Sequence, residues 1–384
     1  MTDSLQAFIG ADIFDGEVRW TDHALIVDGA FIRGIVPEGD VPAGAEVLRL
    51  QGGVLCPGFV DLQVNGGGGI MLNDDQSVDT LRVMAAAHAR LGATSILPTL
   101  ITDTPAHTER AIDAVDAAIK QGVAGIIGLH LEGPHLSIAR KGAHDPELIR
   151  PMDAADLDVL LNAAERLPML KITVAPETVT PAQIDRLSQA GVLVSLGHSD
   201  ASFAMCAAAA GAGARCVTHL FNAMSQLTNR EPGLVGAALT NGALHAGLIA
   251  DGVHVHPETL RAAMAAKAGP GRIFLVSDAM AVAGSDRTEF LLNGRKIIRH
   301  DGRLTLDNGT LAGADLDLAT AVRNLQAWGV ADEDEALAMA TSIPGSLCPG
   351  RPPLLGHLTR GGRADFLHLS DRALAVWQAG RAVT

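Results

Sequence analysis

Between residues 56 and 349 the sequence repeats one rhythm: a short apolar run, then a longer amphipathic stretch. The runs are GFVDLQVNG, TSILPTLIT, GIIGLHLEGPH, LKITVAPE, GVLVSLGHS, ARCVTHLFNAM, HAGLIADGVHV and RIFLVSDAM. The segments between them carry helix signals. PAQIDRLSQAG opens on a proline after Thr180, sets Ile184 and Leu187 on one face, and stops at Gly191. Continuous apolar strands alternating with helices predict a parallel sheet covered on both faces. Eight in succession is the count of a (β/α)8 TIM barrel, an α/β fold; a doubly wound open sheet is the competing arrangement. Chemically competent polar residues end nearly every run, where barrel active sites lie, and this favours the barrel.

The flanks read differently. SLQAFIGADIF, HALIVDGAFIRGIVPEG and AEVLRLQGGVL are short strands separated by turns such as Asp28-Gly29 and Glu38-Gly39, and ADFLHLS and ALAVWQAGRAV repeat the pattern near the other end. We expect residues 1–55 and 350–384 to form one small β-sandwich and 56–349 to form the barrel. After the eighth run, TEFLLNGRKIIRHDGRLTLDNGTLAG carries Asn293-Gly294, Asp301-Gly302 and Asn308-Gly309, which are hairpin signals. It is expected to lie as antiparallel strands over the barrel mouth.

Composition narrows the function classes. Hydrophobic residues make up 48% of the 384, enough for a large core. With 29 Lys+Arg against 43 Asp+Glu the net charge is −14, which argues against a nucleic-acid partner. No apolar run reaches the ~18 residues of a membrane span. The opening MTDSLQAFIG lacks the pattern of a signal peptide, and the 4 Cys form no CxxC pair, so a reducing cytoplasm is the expected compartment.

The strand ends supply Asp61, Gln63 and Asn65; Glu132, His135 and His144; His198; His219; Asp251, His254 and His256; and Asp278. Strand ends converge on a barrel axis, so Glu132, His198 and His219 can meet despite their separation in the chain. Two neutral imidazoles and one carboxylate with an open position suit Zn²⁺ or a similar divalent ion, which acidifies a bound water to a pKa of about 7. Asp278 would then move the water's proton to the leaving group; capping a following helix is its bland alternative. Gly66 to Gly69 match no nucleotide signature and read as close backbone packing. His23, His88, His107, His300, His357 and His368 lie away from the strand ends and read as ordinary.

Taken together, PGFVDLQVNGGGG, HLEGPHL, KGAHDP, LGHSDA, THLFNAM, REPGLVGAAL, DGVHV, VSDAM and TLAG resemble the amidohydrolase superfamily. Within it they are most similar to the N-acetylglucosamine-6-phosphate deacetylase family. The resemblance implies a (β/α)8 barrel with a small β-sandwich. It implies hydrolysis of N-acetyl-D-glucosamine 6-phosphate to glucosamine 6-phosphate and acetate. By motif position the family's metal ligands fall on Glu132, His198 and His219, and its catalytic aspartate on Asp278. Its substrate contacts fall on Ala143, His144, Asn222, Ala223, Arg230, His254, Leu311, Ala312, Gly313 and Ala314. Arg230 is expected to meet a phosphate, in some members across a homodimer interface; an ion pair with Glu231 is the alternative. Where many superfamily members carry His-x-His, this chain has Gln63 and Asn65, and the fourth run ends in VAPE without a lysine to carbamylate. Amides are weak ligands. One divalent ion per subunit is therefore expected, Zn²⁺ first, with Fe²⁺, Mn²⁺ or Co²⁺ as alternatives, and any second ion at Gln63 and Asn65 weak. The rival functions are an amidohydrolase for another N-acetyl hexosamine 6-phosphate such as the galactosamine epimer, one for a cyclic amide, and a catalytically inactive barrel kept as a binding protein.

Overall fold

The computed structural model describes residues 5–348, 355–370 and 373–383; the expected boundary at 349/350 lies outside them. The eight apolar runs form eight strands: β1 (Phe59–Val64), β2 (Ala93–Ile101), β3 (Leu129–Glu132), β4 (Leu170–Val174), β5 (Leu193–Leu196), β6 (Cys216–Val217), β7 (His245–Leu248) and β8 (Ile273–Leu275). Each pairs in parallel with its neighbour in sequence order, from β1 to β8. The seam between β8 and β1 is closed just past the strand ends. Asp278 N donates to Gln63 O at 3.1 Å and Asn65 N to Ala279 O at 2.9 Å. The fold is the barrel rather than the open sheet.

Helices α1 (Val78–Arg90), α2 (Pro105–Lys120), α3 (Ala154–Arg166), α4 (Pro181–Gln189), α5 (Phe203–Gly211), α6 (Gly233–Thr240), α7 (Pro257–Ala266) and α8 (Leu318–Ala327) cover the outside. All but α6 start on a side-chain cap. Thr180 caps α4 in a reciprocal capping box with Gln183, and Pro181 fills the first position, where no N–H partner is needed. Along β3 and β4 alternate side chains point outward, and Leu129, Leu131, Leu170, Ile172 and Val174 join the helix-facing core. The other set, His130, Glu132, Lys171 and Thr173, is buried as well.

That inner set forms a polar layer below the mouth. Thr99 Oγ1, His130, Thr173, Thr218 and Ser195 join hand to hand at 2.6 to 3.1 Å. Burial, then the charge of Lys171, holds the His130 imidazole well below its usual value, so it sits neutral between two hydroxyls.

Both ends of the chain build the small sandwich. One sheet holds Phe31–Pro37, His23–Asp28, Leu5–Ile9 and Glu46–Arg49; the other holds Arg381–Ala382, Leu374–Gln378, Phe366–Leu369, Val54–Pro57, Asp12–Phe14 and Arg19–Trp20. Phe8 meets Phe366 edge-on at 4.9 Å, and Phe366 stacks on Trp377 at 5.0 Å, closing the space between the sheets.

The insertion after β8 folds as expected into four antiparallel strands: β9 (Glu289–Leu292), β10 (Arg295–His300), β11 (Arg303–Leu306) and β12 (Leu311–Ala314). Asn293-Gly294 and Asp301-Gly302 both take positive φ, as tight hairpin turns demand. The glycines at 66 to 69 are packing glycines. A Cβ on Gly66 would stand 2.5 Å from Ile70 O and 2.8 Å from Ala281 N.

Candidate active site

Glu132 ends β3, and His198 and His219 stand just beyond the ends of β5 and β6. Their ligand atoms converge. Glu132 Oε1 lies 3.3 Å from His198 Nε2 and 3.1 Å from His219 Nε2, and the two Nε2 atoms are 3.0 Å apart. All three residues are buried, and their ligand atoms fall within 4.8 Å of one another. His198 Nδ1 donates to Arg140 O at 2.9 Å, which leaves the Nε2 lone pair aimed at Glu132. Nitrogens bound tetrahedrally to one zinc would be about 3.3 Å apart, so this donor set fits a divalent ion. Burial raises the Glu132 carboxyl, but His198 and His219 outweigh burial and hold it well below the usual carboxylate range.

The backbone at these positions is unusual. His198 has φ 46°, His219 φ 30° and Asp278 φ 51°, all in the left-handed region that non-glycine residues avoid. Such residues cost on the order of 1–3 kcal/mol each and persist only where their surroundings enforce them. The chain turns sharply as it leaves β5, β6 and β8, and these turns carry His198, His219 and Asp278.

Among the described residues Asp278 caps no helix. Its Oδ1 accepts from Asn65 Nδ2 at 2.7 Å and from Gln63 Nε2 at 3.1 Å, and Gln63 Nε2 also reaches Glu132 Oε1 at 3.2 Å. The two amides thus hold the two carboxylates side by side, while Gln63 Oε1 and Asn65 Oδ1 make no hydrogen bond among the described residues. Burial, then the charge of Glu132, pushes the Asp278 carboxyl upward.

Asn65, Glu132, His198, His219 and Asp278 line a cavity of about 380 Å³. Of the expected substrate contacts, Ala143, His144, Asn222, Ala223, His254, Leu311 and Gly313 line it. Three do not. Ala312 packs in the core of the β9–β12 sheet, because alternation along β12 turns it away. Ala314 donates its N–H to Asp278 O at 2.9 Å, which ties β12 to the turn that carries Asp278. Arg230 is exposed, outside the cavity lining, and makes no ion pair among the described residues. The alternative partner, Glu231, accepts from the N–H groups of Phe203 and Gly233 instead.

Two other strand-end histidines also stay out. His135 packs against Arg150 O and Asp156, and His256 caps α7. Sequence reasoning missed Arg140 and Arg295. Arg140 lines the cavity from the SIARKGAH segment, where its proximity to His144 was the available signal. Arg295 of β10 donates to Ala143 O, a contact across 152 positions that no local pattern marks.

An eight-stranded parallel barrel gathering two imidazoles and a carboxylate at its C-terminal mouth defines a metal-dependent hydrolase class. The chain belongs to the amidohydrolase family: residues 54–381 match the model described as "Amidohydrolase family", and residues 6–55 match the "NagA composite domain". Among curated relatives, the N-acetylgalactosamine-6-phosphate deacetylase of Shewanella sp. (strain ANA-3) is 46% identical over 86% of this chain and 84% of its own. The N-acetylglucosamine-6-phosphate deacetylase of Haemophilus influenzae is 34% identical over 90% of each. Among solved structures, N-acetylglucosamine-6-phosphate deacetylase from Pasteurella multocida superposes with a TM-score of 0.93 at 34% identity, over 98% of this chain and 99% of the other. A mutant of the Mycobacterium smegmatis enzyme in complex with N-acetyl-D-glucosamine-6-phosphate gives 0.90 at 30% identity, over 99% and 100%.

Proposed function

We propose that this protein hydrolyses the acetamide of an N-acetylhexosamine 6-phosphate, N-acetyl-D-glucosamine 6-phosphate in the first instance, releasing acetate and the amine. The observation that carries the reading is the meeting of Glu132, His198 and His219 beside Asp278 in one cavity. Glu132, His198 and His219 would hold one divalent ion, zinc by donor type. Such an ion supplies Lewis-acid polarisation and an acidified water. Asp278 takes the proton of the attacking water and returns it to the departing nitrogen, and its raised affinity for protons suits that task. Gln63 and Asn65 keep its carboxylate aimed. His144, Asn222, Ala223, His254, Leu311 and Gly313 surround the sugar. Ala143 holds the loop that carries His144.

Gln63 and Asn65 would offer a second ion only uncharged amide oxygens, which are weak ligands, so any second ion there is weak. Mass spectrometry on metal-saturated, dialysed protein should find about one ion per chain; two retained ions would overturn this. We further propose a cytoplasmic homodimer in which Arg230 reaches the phosphate in the neighbouring cavity; its exposure outside its own cavity supports that placement. Arg230→Ala should raise KM for the phosphorylated sugar far more than for its unphosphorylated counterpart. We also take residues 1–55 with 350–384 as the small unit and 56–349 as the barrel.

The galactosamine epimer is the second reading, favoured by the 46% identity to the Shewanella relative. Acetate release from both epimers, before and after chelation and zinc repletion, tests the proposal. Release that chelation abolishes and zinc restores is expected; no release from either sugar overturns it. Asp278→Asn should keep its metal and lose roughly 10²–10⁴ in kcat.

A further inference from the structure

Six residues past the end of β7, the chain places His254 against Asp251. His254 Nδ1 and Asp251 Oδ2 are 2.6 Å apart, and both side chains are nearly buried, at 8% and 6% exposure. The other carboxylate oxygen, Oδ1, accepts the backbone N–H groups of Val253 and His254, each at 2.8 Å. Asp251 therefore accepts three hydrogen bonds, with both oxygens engaged. Burial alone raises its carboxyl, but the bonds from His254 and from the two backbone groups outweigh burial and hold it below the usual range. It stays ionised and can only accept.

An acceptor-only partner fixes the neighbouring ring. His254 Nδ1 must carry a proton, so the neutral imidazole leaves a lone pair on Nε2. His254 lines the cavity while Asp251 does not, so the group offered to a substrate is the His254 ring. A neutral ring held in this way cannot donate from Nε2. Only the imidazolium can.

We propose that Asp251 is a positioning residue that keeps the proton on His254 Nδ1, so that His254 offers the cavity a donor only as a cation and selects an anionic oxygen of the substrate. The inference deepens the deacetylase reading and rests on it. Two oxygens of the proposed substrate answer the description: the phosphoryl oxygens, and the oxyanion that develops on the acetyl carbonyl. Titratable and charged groups on several elements line the same cavity as this ring: Asp278 after β8, Glu132 of β3, His198 and His219 after β5 and β6, and Arg140 and His144 from the loop after β3. Asp251 is distinguished from them by direct contact with the ring.

Asp251→Asn tests this. The asparagine oxygen can still accept from Val253 and His254, while its amide donates to Nδ1 and drives the proton to Nε2. His254 then keeps a donor and loses its charge. His254→Gln also offers a neutral donor. Each variant is expected to lose roughly 10- to 100-fold in kcat/KM, and the double variant to be no worse than either, since the two residues act as one unit. A rise in KM confined to the phosphorylated sugar assigns the phosphoryl oxygens; a fall in kcat on phosphorylated and unphosphorylated sugars alike assigns the oxyanion. Asp251→Asn within twofold of wild type, or losses that multiply in the double variant, overturns the proposal. An independent measurement needs no substrate and no Asp251 variant. In ¹⁵N-histidine spectra, the resonance missing from His254→Gln should show Nδ1 protonated in the neutral ring, and a proton on Nε2 instead overturns the tautomer. Wild-type protein that releases no acetate overturns the deacetylase reading and the substrate half of the proposal; the spectrum still decides the tautomer half.

Discussion

Asp61 shows how much one buried atom group can weigh. Its carboxylate sits inside the barrel, where it accepts from Gln63 N at 3.2 Å and from Ser277 N at 3.3 Å, stitching β1 to the turn that carries Asp278. Burial pushes its carboxyl up to about 7, against only partial relief from these bonds. A carboxyl raised on folding binds its proton more tightly in the native state. Its contribution is complete below its unfolded value near 4 and is lost as pH rises through about 7. Asp61→Asn keeps an acceptor for both N–H groups and removes the charge. Thermal melts should therefore show the variant gaining on wild type, by up to a few kcal/mol, between about pH 4 and pH 8. A constant difference across that range would remove ionisation of Asp61 from the account. At this scale the residue types were legible, because strand-end position and chemistry single out Glu132, His198, His219 and Asp278. Their positive φ was not legible, since nothing in a histidine or aspartate announces a left-handed turn. Strand-end position alone did not separate His254 from His256, two residues apart; the family resemblance singled out His254, and the helix start takes His256 as its cap while the cavity receives His254.

The sheet of β9–β12 acts on the site through one long-range bond. Arg295 of β10 holds Ala143 O, in the loop that brings His144 to the cavity and packs Gly142 against His198. A Cβ on Gly142 would stand 3.3 Å from His198 Cε1, so this loop has little room to drift inward. Losing one such bond costs about 1 kcal/mol, or roughly fivefold in an equilibrium. Arg295→Ala should raise KM by about that factor while leaving the metal content unchanged. A variant that loses its metal instead would mean that the sheet supports the ligands and not the substrate loop. The hairpin signals made the strands of this insertion readable, and Asn293 and Asp301 took the conformations those signals predict. The bond to Ala143 was unreadable, because it joins parts of the chain that only the closed barrel brings together.

At the scale of the molecule, the barrel and the sandwich share a wall. Val54–Pro57 is buried along its whole length: Leu55 packs among the sandwich residues, while Val54 and Cys56 pack in the barrel core. The period of two along a strand splits its side chains between two cores, so the small unit cannot be loosened without disturbing the barrel. Composition and flanking strands made the small unit legible; the shared wall was not, because a run apolar at every position does not say what covers each face. The proposed metal site ties the same body together at its other end, with ligands at or just past the ends of three strands that are not all adjacent: β3, β5 and β6. A ligand that binds only the folded state stabilises it by RT ln(1 + [L]/Kd), about 4 kcal/mol at a thousandfold excess over Kd. For a chain of 384 residues, at about 2.1 cal/mol/K of unfolding entropy per residue, this moves Tm by roughly 5 °C. Chelation should lower the single cooperative transition by about that amount, and zinc should restore it. A transition unmoved after the metal has demonstrably left would mean that Glu132, His198 and His219 bind no ion strongly enough to matter to folding. The turns that hold His198 and His219 at positive φ would then owe their conformation to the protein alone.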